Sequence, residues 1–313
     1  DIVPPGPREL WLTDPHQAVV KDGRIYGRGA EDNQQGIVAS FFALQALIDL
    51  GFQPGSDVGL VLVADDETGS RYGIDYVLKN EPRFRPNDII LVPDAGNQTG
   101  SEIEVAEKSI VWLKFTVIGK QAHGSRPDKG RNALRAGAKI LLHIDRILHE
   151  RYPALDPLFD PPGTTVEPTK KEANVPNINT IPAEDIFYFD CRVLPNYQIT
   201  ELLDLVQAEA GAIAQQCQVD VRVTTEQFEQ AAPPTPSDAP VVKLLTQAVR
   251  EVYGIETRTI GIGGGTVAAF FRRAGFPAAV WGRFAGTAHQ PNEYCEIANL
   301  IGDAKVYAHI VGQ

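Results

Sequence analysis

Three carboxylates stand side by side in "VLVADDETGS": Asp65, Asp66 and Glu67, directly after the apolar run Val58–Ala64. Like charges repel, so acids crowded at the end of an apolar run call for a compensating cation. Other chemically capable residues occupy comparable places. Asp32 lies in "RIYGRGAEDNQQG" just before a helix, Asp94 closes "IILVPDAG", His289 lies in "GTAHQPNEYC", and Asp1 opens the chain. In open α/β sheets ligands bind beyond the carboxyl ends of the strands, so these groups would converge on one sheet edge. Carboxylates gathered there stay ionised together only if something neutralises them. Carboxylates with an imidazole suit Zn²⁺ or a similar ion, and two such ions roughly 3.5–4 Å apart make a hydrolytic clamp. An adjacent pair such as Asp66 and Glu67 can then divide the work. One binds metal and its neighbour takes a proton from the attacking water.

Plainer readings exist for each residue alone. An acid at a strand end commonly caps a helix or sits in a solvated turn. His16, His143, His149 and His309 are read as surface or core residues. "GIGGGT" (Gly261–Thr266) lacks the Lys-Ser/Thr of a phosphate-binding loop, so its glycines are read as allowing close backbone approach. Arg192 in "FDCRV" can pair with its neighbour Asp190, and His123 in the loop "GKQAHGSRP" means little by itself.

The elements that would position these groups fall into two textures. "GIVASFFALQALIDLG" (Gly36–Gly51) is apolar at helical spacing and ends on glycine. "VGLVLVA" (Val58–Ala64) is expected to be a short strand buried on both faces, as in a parallel sheet, and "DIILVPDAG" repeats the pattern. Strands alternating with helices indicate an α/β sheet. From about Ile110 the pattern changes to alternation, as in "SIVWLKFTVIGK". The helix "NALRAGAKILLHIDRILHERY", a hairpin expected within "NVPNINTIPAEDIFYFDCRVLPN", the helix "ITELLDLVQAEAGAIAQQ" and "VDVRVTTEQFE" complete a β-α-β-β-α-β order, a split βαβ sandwich. After the Pro-rich stretch Ala231–Pro240 the α/β texture returns. The expected organisation is therefore a catalytic α/β domain, residues 1–109 and 231–313, interrupted by an inserted module, residues 110–230.

Bulk properties narrow the function. At 313 residues the chain suits two domains, and its net charge of −11 argues against nucleic acid or an anionic membrane as partner. No apolar run approaches the roughly 20 residues of a membrane span. Cys191, Cys217 and Cys295 stand far apart with no CxxC pair, which suggests a reducing, cytoplasmic setting without disulfides.

In this order "DIVPPG", "DGRIYGRGAEDNQQG", "ADDETGS", "VPDAG", "GKQAHGSRPDKGRNAL", "NINTIP", "GGGT" and "AHQPNEY" resemble the di-zinc metallopeptidase family of aminoacylase, acetylornithine deacetylase, succinyl-diaminopimelate desuccinylase and glutamate carboxypeptidase. The resemblance runs over the whole chain. It implies a zinc-peptidase-like α/β/α catalytic domain with an inserted ferredoxin-like (βαββαβ) lid and dimerisation domain. It also implies two divalent ions per chain, Zn²⁺ or Co²⁺, and a homodimer, for which the strand at Ile110–Lys120 is expected to supply a pairing edge. Carried over, Asp32 resembles the carboxylate bridging both metals, Glu67 and Asp94 a ligand of each, and His289 the distal histidine ligand. Asp66 falls at the general-base position, where the family usually has Glu. His123 resembles the lid histidine that stabilises the oxyanion. Arg192 and Asn179 resemble positions holding the substrate carboxylate, Gly264, Gly265 and Thr266 the pocket loop, and Asp1 the acid orienting a first metal-binding histidine. That histidine precedes Asp1 in the family motif His-x-Asp, so it and the strand and helix before it are expected upstream of residue 1. The expected reaction is amide hydrolysis of an N-acyl amino acid, most like the desuccinylase or acetylornithine deacetylase of amino-acid biosynthesis. A dipeptidase or carboxypeptidase of the same family, or a non-catalytic binder of an amino-acid derivative, are the alternatives.

Overall fold

The computed structural model describes residues 1–81 and 83–313. The chain divides into two compact units. The first comprises Asp1–Ala106, Ala232–Gly261 and Gly265–Gln313, and the second Glu107–Ala231 with Ile262–Gly264.

In the first unit a short hairpin, β1 (Val19–Lys21) and β2 (Arg24–Tyr26), precedes helices α1 (Gly36–Asp49) and α2 (Ile74–Asn80) and strands β3 (Ile90–Val92) and β4 (Glu102–Glu107). In the second unit come β5 (Ser109–Ile118), β6 (Ala122–His123), α3 (Ala133–Arg151), β7 (Thr165–Lys171), β8 (Thr180–Ile181), β9 (Glu184–Val193), α4 (Ile199–Cys217) and β10 (Asp220–Glu229). The chain then forms α5 (Pro240–Tyr253), β11 (Arg258–Ile262), α6 (Ala268–Arg273), β12 (Ala278–Val280), β13 (Tyr294–Glu296) and α7 (Ile297–Val311).

The first unit holds two sheets. One has the order β11-β4-β12-β3, with β12 parallel to β3, and the other is the antiparallel β1-β2-β13. Ile90 and Val92 of β3 and Ala278 and Val280 of β12 bury their side chains with Ile74 of α2 and Ala268 and Phe271 of α6. The helix α1 begins against β3 so closely that a Cβ on Gly36 would lie 2.1 Å from the Pro93 carbonyl oxygen. Glycine is required there, and the close approach brings the segment before α1 to the carboxyl end of β3.

The run Val58–Ala64 is not a strand. Val58, Leu60, Val61 and Leu62 are exposed, and no ladder partner reaches them among the described residues. An apolar run becomes a strand only where a neighbour satisfies its backbone groups, and composition alone does not show whether one pairs with it.

The second unit is built on a four-stranded antiparallel sheet, β10-β5-β9-β7, covered on one face by α3 and α4, and also holds the short antiparallel pair β6-β8. Val111, Leu113, Phe115 and Val117 of β5 point inward, as do Phe187, Phe189 and Cys191 of β9. They meet Ile140, Ile144 and Leu148 of α3 and Leu202 and Val206 of α4. The Phe115 and Phe187 rings stack with centroids 4.7 Å apart. Two expectations fail here. The hairpin arm that pairs with β9 is β7, residues 165–171, whereas Asn174–Asn179 form loop. "TVEPTKK" has no apolar alternation because an edge strand need bury little, and its Pro168 is tolerated there. And β5 is no free edge: it bonds to β10 on one side and β9 on the other, so the sheet's edges are β10 and β7.

Truncating the stacked ring in Phe187→Ala should cost roughly 3–5 kcal/mol of stability in the second unit, while Thr224→Ala on the exposed face should change it by about 0.5 kcal/mol or less. Urea unfolding followed by fluorescence and circular dichroism measures both. Equal effects would contradict the assigned inward and outward faces.

Candidate metal centre

Three ligand-type residues from distant parts of the first unit meet. Asp32, Glu67 and His289 each offer one donor atom, and the three atoms lie within 4.8 Å of one another. His289 Nε2 stands 3.0 Å from Asp32 Oδ2 and 3.2 Å from Glu67 Oε1. Local backbone explains how each arrives. Asp32 interrupts the irregular helical turn Ala30–Gln35, with an extended φ of −117° and ψ of 96°, which turns its side chain out of the turn. Glu67 lies in the short turn Asp66–Thr68 that follows Asp65. His289 takes φ of +62°, a left-handed conformation uncommon for a side-chain-bearing residue, in the loop between β12 and β13.

The three adjacent acids have three different surroundings. Asp65 is held at φ +58°, and its Oδ2 accepts from the Tyr72 backbone N–H at 2.8 Å, so this acid shapes the turn. Asp66 accepts from the Ser70 hydroxyl at 3.0 Å, and its own N–H donates to Asp1 Oδ1 at 3.1 Å. Burial raises its proton affinity, with the charges of Glu67 and Asp65 adding to the effect and the Ser70 bond opposing it. Glu67 alone of the three joins the donor cluster.

Asp94 is outside that three-atom cluster but is electrostatically tied to it. Its Oδ1 accepts from Asn33 Nδ2 at 2.7 Å. Burial, then the charges of Asp66 and Asp32, push its carboxyl up to about 7. Burial and then Glu67 push Asp32 up to about 6, against the favourable charge of His289. Four acids thus share one partly buried place at an electrostatic cost that a bound cation would remove. The Asn33 Oδ1 and Asp65 Oδ1 atoms are buried without a hydrogen-bond partner. Hard carboxylate oxygens beside an imidazole nitrogen are a donor set that fits a divalent ion of the zinc type.

The remaining candidates from the sequence lie as follows. In the second unit β6 and β8 pair with His123 opposite Thr180, and the Gly124 N–H donates to the Asn179 carbonyl at 2.6 Å, so His123 and Asn179 are brought together. The Ser125 N–H donates to His123 Nδ1 at 3.2 Å, which makes Nδ1 the acceptor and leaves the proton of the neutral ring on Nε2. Arg192 is tied down within the same unit. It donates to both carboxylate oxygens of Asp190, at 2.6 and 2.9 Å, and to the Gly263 carbonyl at 2.9 Å. Three of the five guanidinium N–H donors are engaged by these bonds. Gly264 groups with the second unit, while Gly265 and Thr266 group with the first, where the Thr266 Oγ1 accepts from the Ala268 N–H at the start of α6. The residues missed by sequence reasoning are Asn33, which holds Asp94, and the buried acids Glu31 and Glu293. Each stands within four residues of a cluster ligand, which was the one available signal.

The sequence profile of the peptidase family M20/M25/M40 matches residues 1–313. The chain belongs to that family. An uncharacterized metallohydrolase of Methanococcus maripaludis is 41% identical over 99% of this chain and 78% of its own length. A succinyl-diaminopimelate desuccinylase of Maricaulis maris is 27% identical over 99% of this chain and 78% of its own length. Among solved structures, an M20 family metallo-carboxypeptidase from Sulfolobus solfataricus superposes with a TM-score of 0.75 at 19% identity, covering 100% of this chain and 82% of the other. This M20 protein is accordingly a metal-dependent hydrolase with that family's mixed α/β fold. Among the described residues no helix is long and apolar enough to cross a membrane.

The raised carboxyls have a linked effect on stability. A carboxyl whose folded-state affinity for protons exceeds the usual value near 4 favours folding most when protonated. For Asp32 and Asp94 that contribution is full below about pH 4 and is lost as pH rises through about 6 to 7. Metal-free protein should therefore gain stability from these two groups between pH 8 and pH 5, and added Zn²⁺ should stabilise it far more at pH 8 than at pH 5. Scanning calorimetry checks this, with Asp94→Asn expected to flatten part of the pH dependence. A zinc effect independent of pH would contradict it.

Proposed function

We propose that this M20 hydrolase cleaves the amide bond of N-acyl amino acids, in the manner of succinyl-diaminopimelate desuccinylases or acetylornithine deacetylases. The observation that carries the reading is the convergence of Asp32, Glu67 and His289, with Asp66 and Asp94 coupled to them. In it Asp32, Glu67, Asp94 and His289 would hold two divalent ions, Zn²⁺ or Co²⁺. Such ions, when bound, supply Lewis acidity toward water and the scissile carbonyl.

The chain's own groups do the rest. Asp66 takes the proton of the attacking water at a carboxylate oxygen and returns it to the leaving amine. Burial suits it to this by raising its proton affinity toward the working pH. Its hydrogen bond from Ser70 engages Oδ1 and restrains the carboxylate. Aspartate in place of the family's glutamate withdraws the carboxylate by about one carbon–carbon bond, and the backbone bond from Asp66 N to Asp1 anchors the turn that must make up that distance. Asp1 has the role of orienting a metal-binding histidine. His123, with its proton on Nε2, is an oxyanion donor. Arg192 keeps two N–H donors for a substrate carboxylate beside those given to Asp190 and Gly263. Asn179 binds that same carboxylate, and Gly264, Gly265 and Thr266 line the pocket. The second unit acts as lid and homodimerisation module, with β7 and β10 as the edges open to a second copy. The cytoplasm is the proposed location. A dipeptidase or carboxypeptidase activity is the second reading, favoured by the likeness to the Sulfolobus solfataricus metallo-carboxypeptidase.

Asp66→Asn should lower kcat by roughly 10²–10⁴-fold with metal content unchanged. Steady-state kinetics on a panel of N-succinyl and N-acetyl amino acids and dipeptides, with elemental analysis, measures both. Undiminished turnover would remove Asp66 from the mechanism, and exclusive cleavage of dipeptides would favour the second reading.

A further inference from the structure

Two glutamates lie beside the proposed ligands without being among them. Glu31 and Glu293 are 1% and 0% exposed, burial that an acid tolerates only when its oxygens are fully bonded. Glu31 directly precedes Asp32, yet its side chain reaches the loop that carries His289. Its Oε1 accepts from the N–H groups of Ala285 and Gly286, and its Oε2 from those of Thr287 and Ala288 and from the Thr287 hydroxyl. Glu293 follows His289 by four residues, yet its side chain reaches the loop that carries Asp32. Its Oε2 accepts from the Gly29 N–H at 2.9 Å and from Arg28 Nη1 at 2.6 Å, and its Oε1 from the N–H groups of Glu31 and Asp32 at 2.9 and 3.0 Å.

The connections cross. Each loop supplies the carboxylate that gathers the other loop's backbone amides. A carboxylate bonded to several amides at once makes a strong, charge-assisted joint that tolerates little displacement. The two joints are coupled directly, because Glu31 donates its own N–H to Glu293. Asp32 is likewise held by its own N–H, and His289 follows without a break the four amides that Glu31 gathers.

We propose that Glu31 and Glu293 form a reciprocal clasp, two positioning residues that fix the separation of Asp32 and His289 and so the geometry of the metal centre. The inference rests on Asp32 and His289 being metal ligands. Neither glutamate touches metal or substrate. The clasp holds the two ligand loops at ligating distance before any ion arrives, so that binding costs little loop ordering.

The test uses the full-length protein with Glu31→Gln, Glu293→Gln and the double substitution, together with the milder Glu31→Asp. Glutamine preserves size but turns an NH₂ group toward amides that need an acceptor. Co²⁺ is the probe. Its affinity is read by competition with a chromophoric chelator and its coordination by the visible absorption band. Hydrogen exchange of the 285–288 amides is followed in metal-free protein. Each glutamine variant should weaken Co²⁺ binding roughly 10–100-fold, alter the band and, for Glu31→Gln, accelerate exchange at 285–288. The double variant should lose less than the product of the single losses, since either cut releases the same separation. If Glu31→Gln fails to fold, Glu31→Asp carries the same expectations with smaller changes. Folded variants with parental Co²⁺ affinity and band would overturn the clasp, even with a lowered unfolding midpoint. Parent protein that binds no Co²⁺ would overturn the metal-centre reading instead. In that case exchange at 285–288 decides the clasp, and parental rates in Glu31→Gln would overturn it as well.

Discussion

Gathering negative charge in a partly dry place is the constraint around which the first unit is arranged. Burial raises the proton affinity of Asp32, Asp66 and Asp94, and the charges of neighbouring acids, Glu67 among them, raise it further. A fold does not keep such a set unless some partner neutralises it. Protons do so in part, with Asp94 reaching about 7 and Asp32 about 6. A divalent ion does so more completely, and the nearby His289 Nε2 completes a donor set suited to one. Much else in the unit holds this arrangement in place. Gly36 admits the close approach of α1 to β3, Asn33 holds Asp94, and Asp65 spends its carboxylate on the turn that presents its two neighbours.

The division of labour proposed for the two units follows their residues. In the first unit Asp94 follows the strand Ile90–Val92, His289 lies in the loop after the buried strand Ala278–Val280, and Asp32 and Glu67 stand on irregular turns. The second has a sheet with one face packed against two helices, and of its polar candidates His123 lies on the short strand β6, Asn179 on the turn before β8 and Arg192 on the opposite face of β9. Binding and oxyanion chemistry need donors, and these three supply N–H groups where the first unit supplies carboxylates. This complementarity supports assigning metal chemistry to the first unit and substrate handling to the second.

Much of this was legible in the sequence, for reasons that also explain the failures. The periodicity of Ala133–Arg151 and the alternation of Phe187, Phe189 and Cys191 report a half-buried helix and strand directly, because one face of each is apolar. The edge strand β7 left no such mark, since Thr165–Lys171 buries little beyond Val166. Val58–Ala64 had the composition of a strand but pairs with none among the described residues, and β5 had the look of an edge but lies between two strands. At the site, Asp32, Glu67 and His289 could be singled out by their places after apolar runs or before a helix. Glu31 and Glu293 could not, because a glutamate bonded to backbone amides reads in one dimension like any surface acid. What a sequence shows least well is which side chain crosses to another loop.

The most direct test of the central claim is to count divalent metal per chain in the purified full-length protein by elemental analysis, before and after chelation, with hydrolysis of N-acyl amino acids assayed on the same samples. The account expects about two ions per chain. It also expects activity to vanish with their removal and to return on addition of Zn²⁺ or Co²⁺. Protein that retains no metal near neutral pH even when supplied with excess, or that hydrolyses amides equally well without it, would contradict the claim that these crowded carboxylates exist to hold cations.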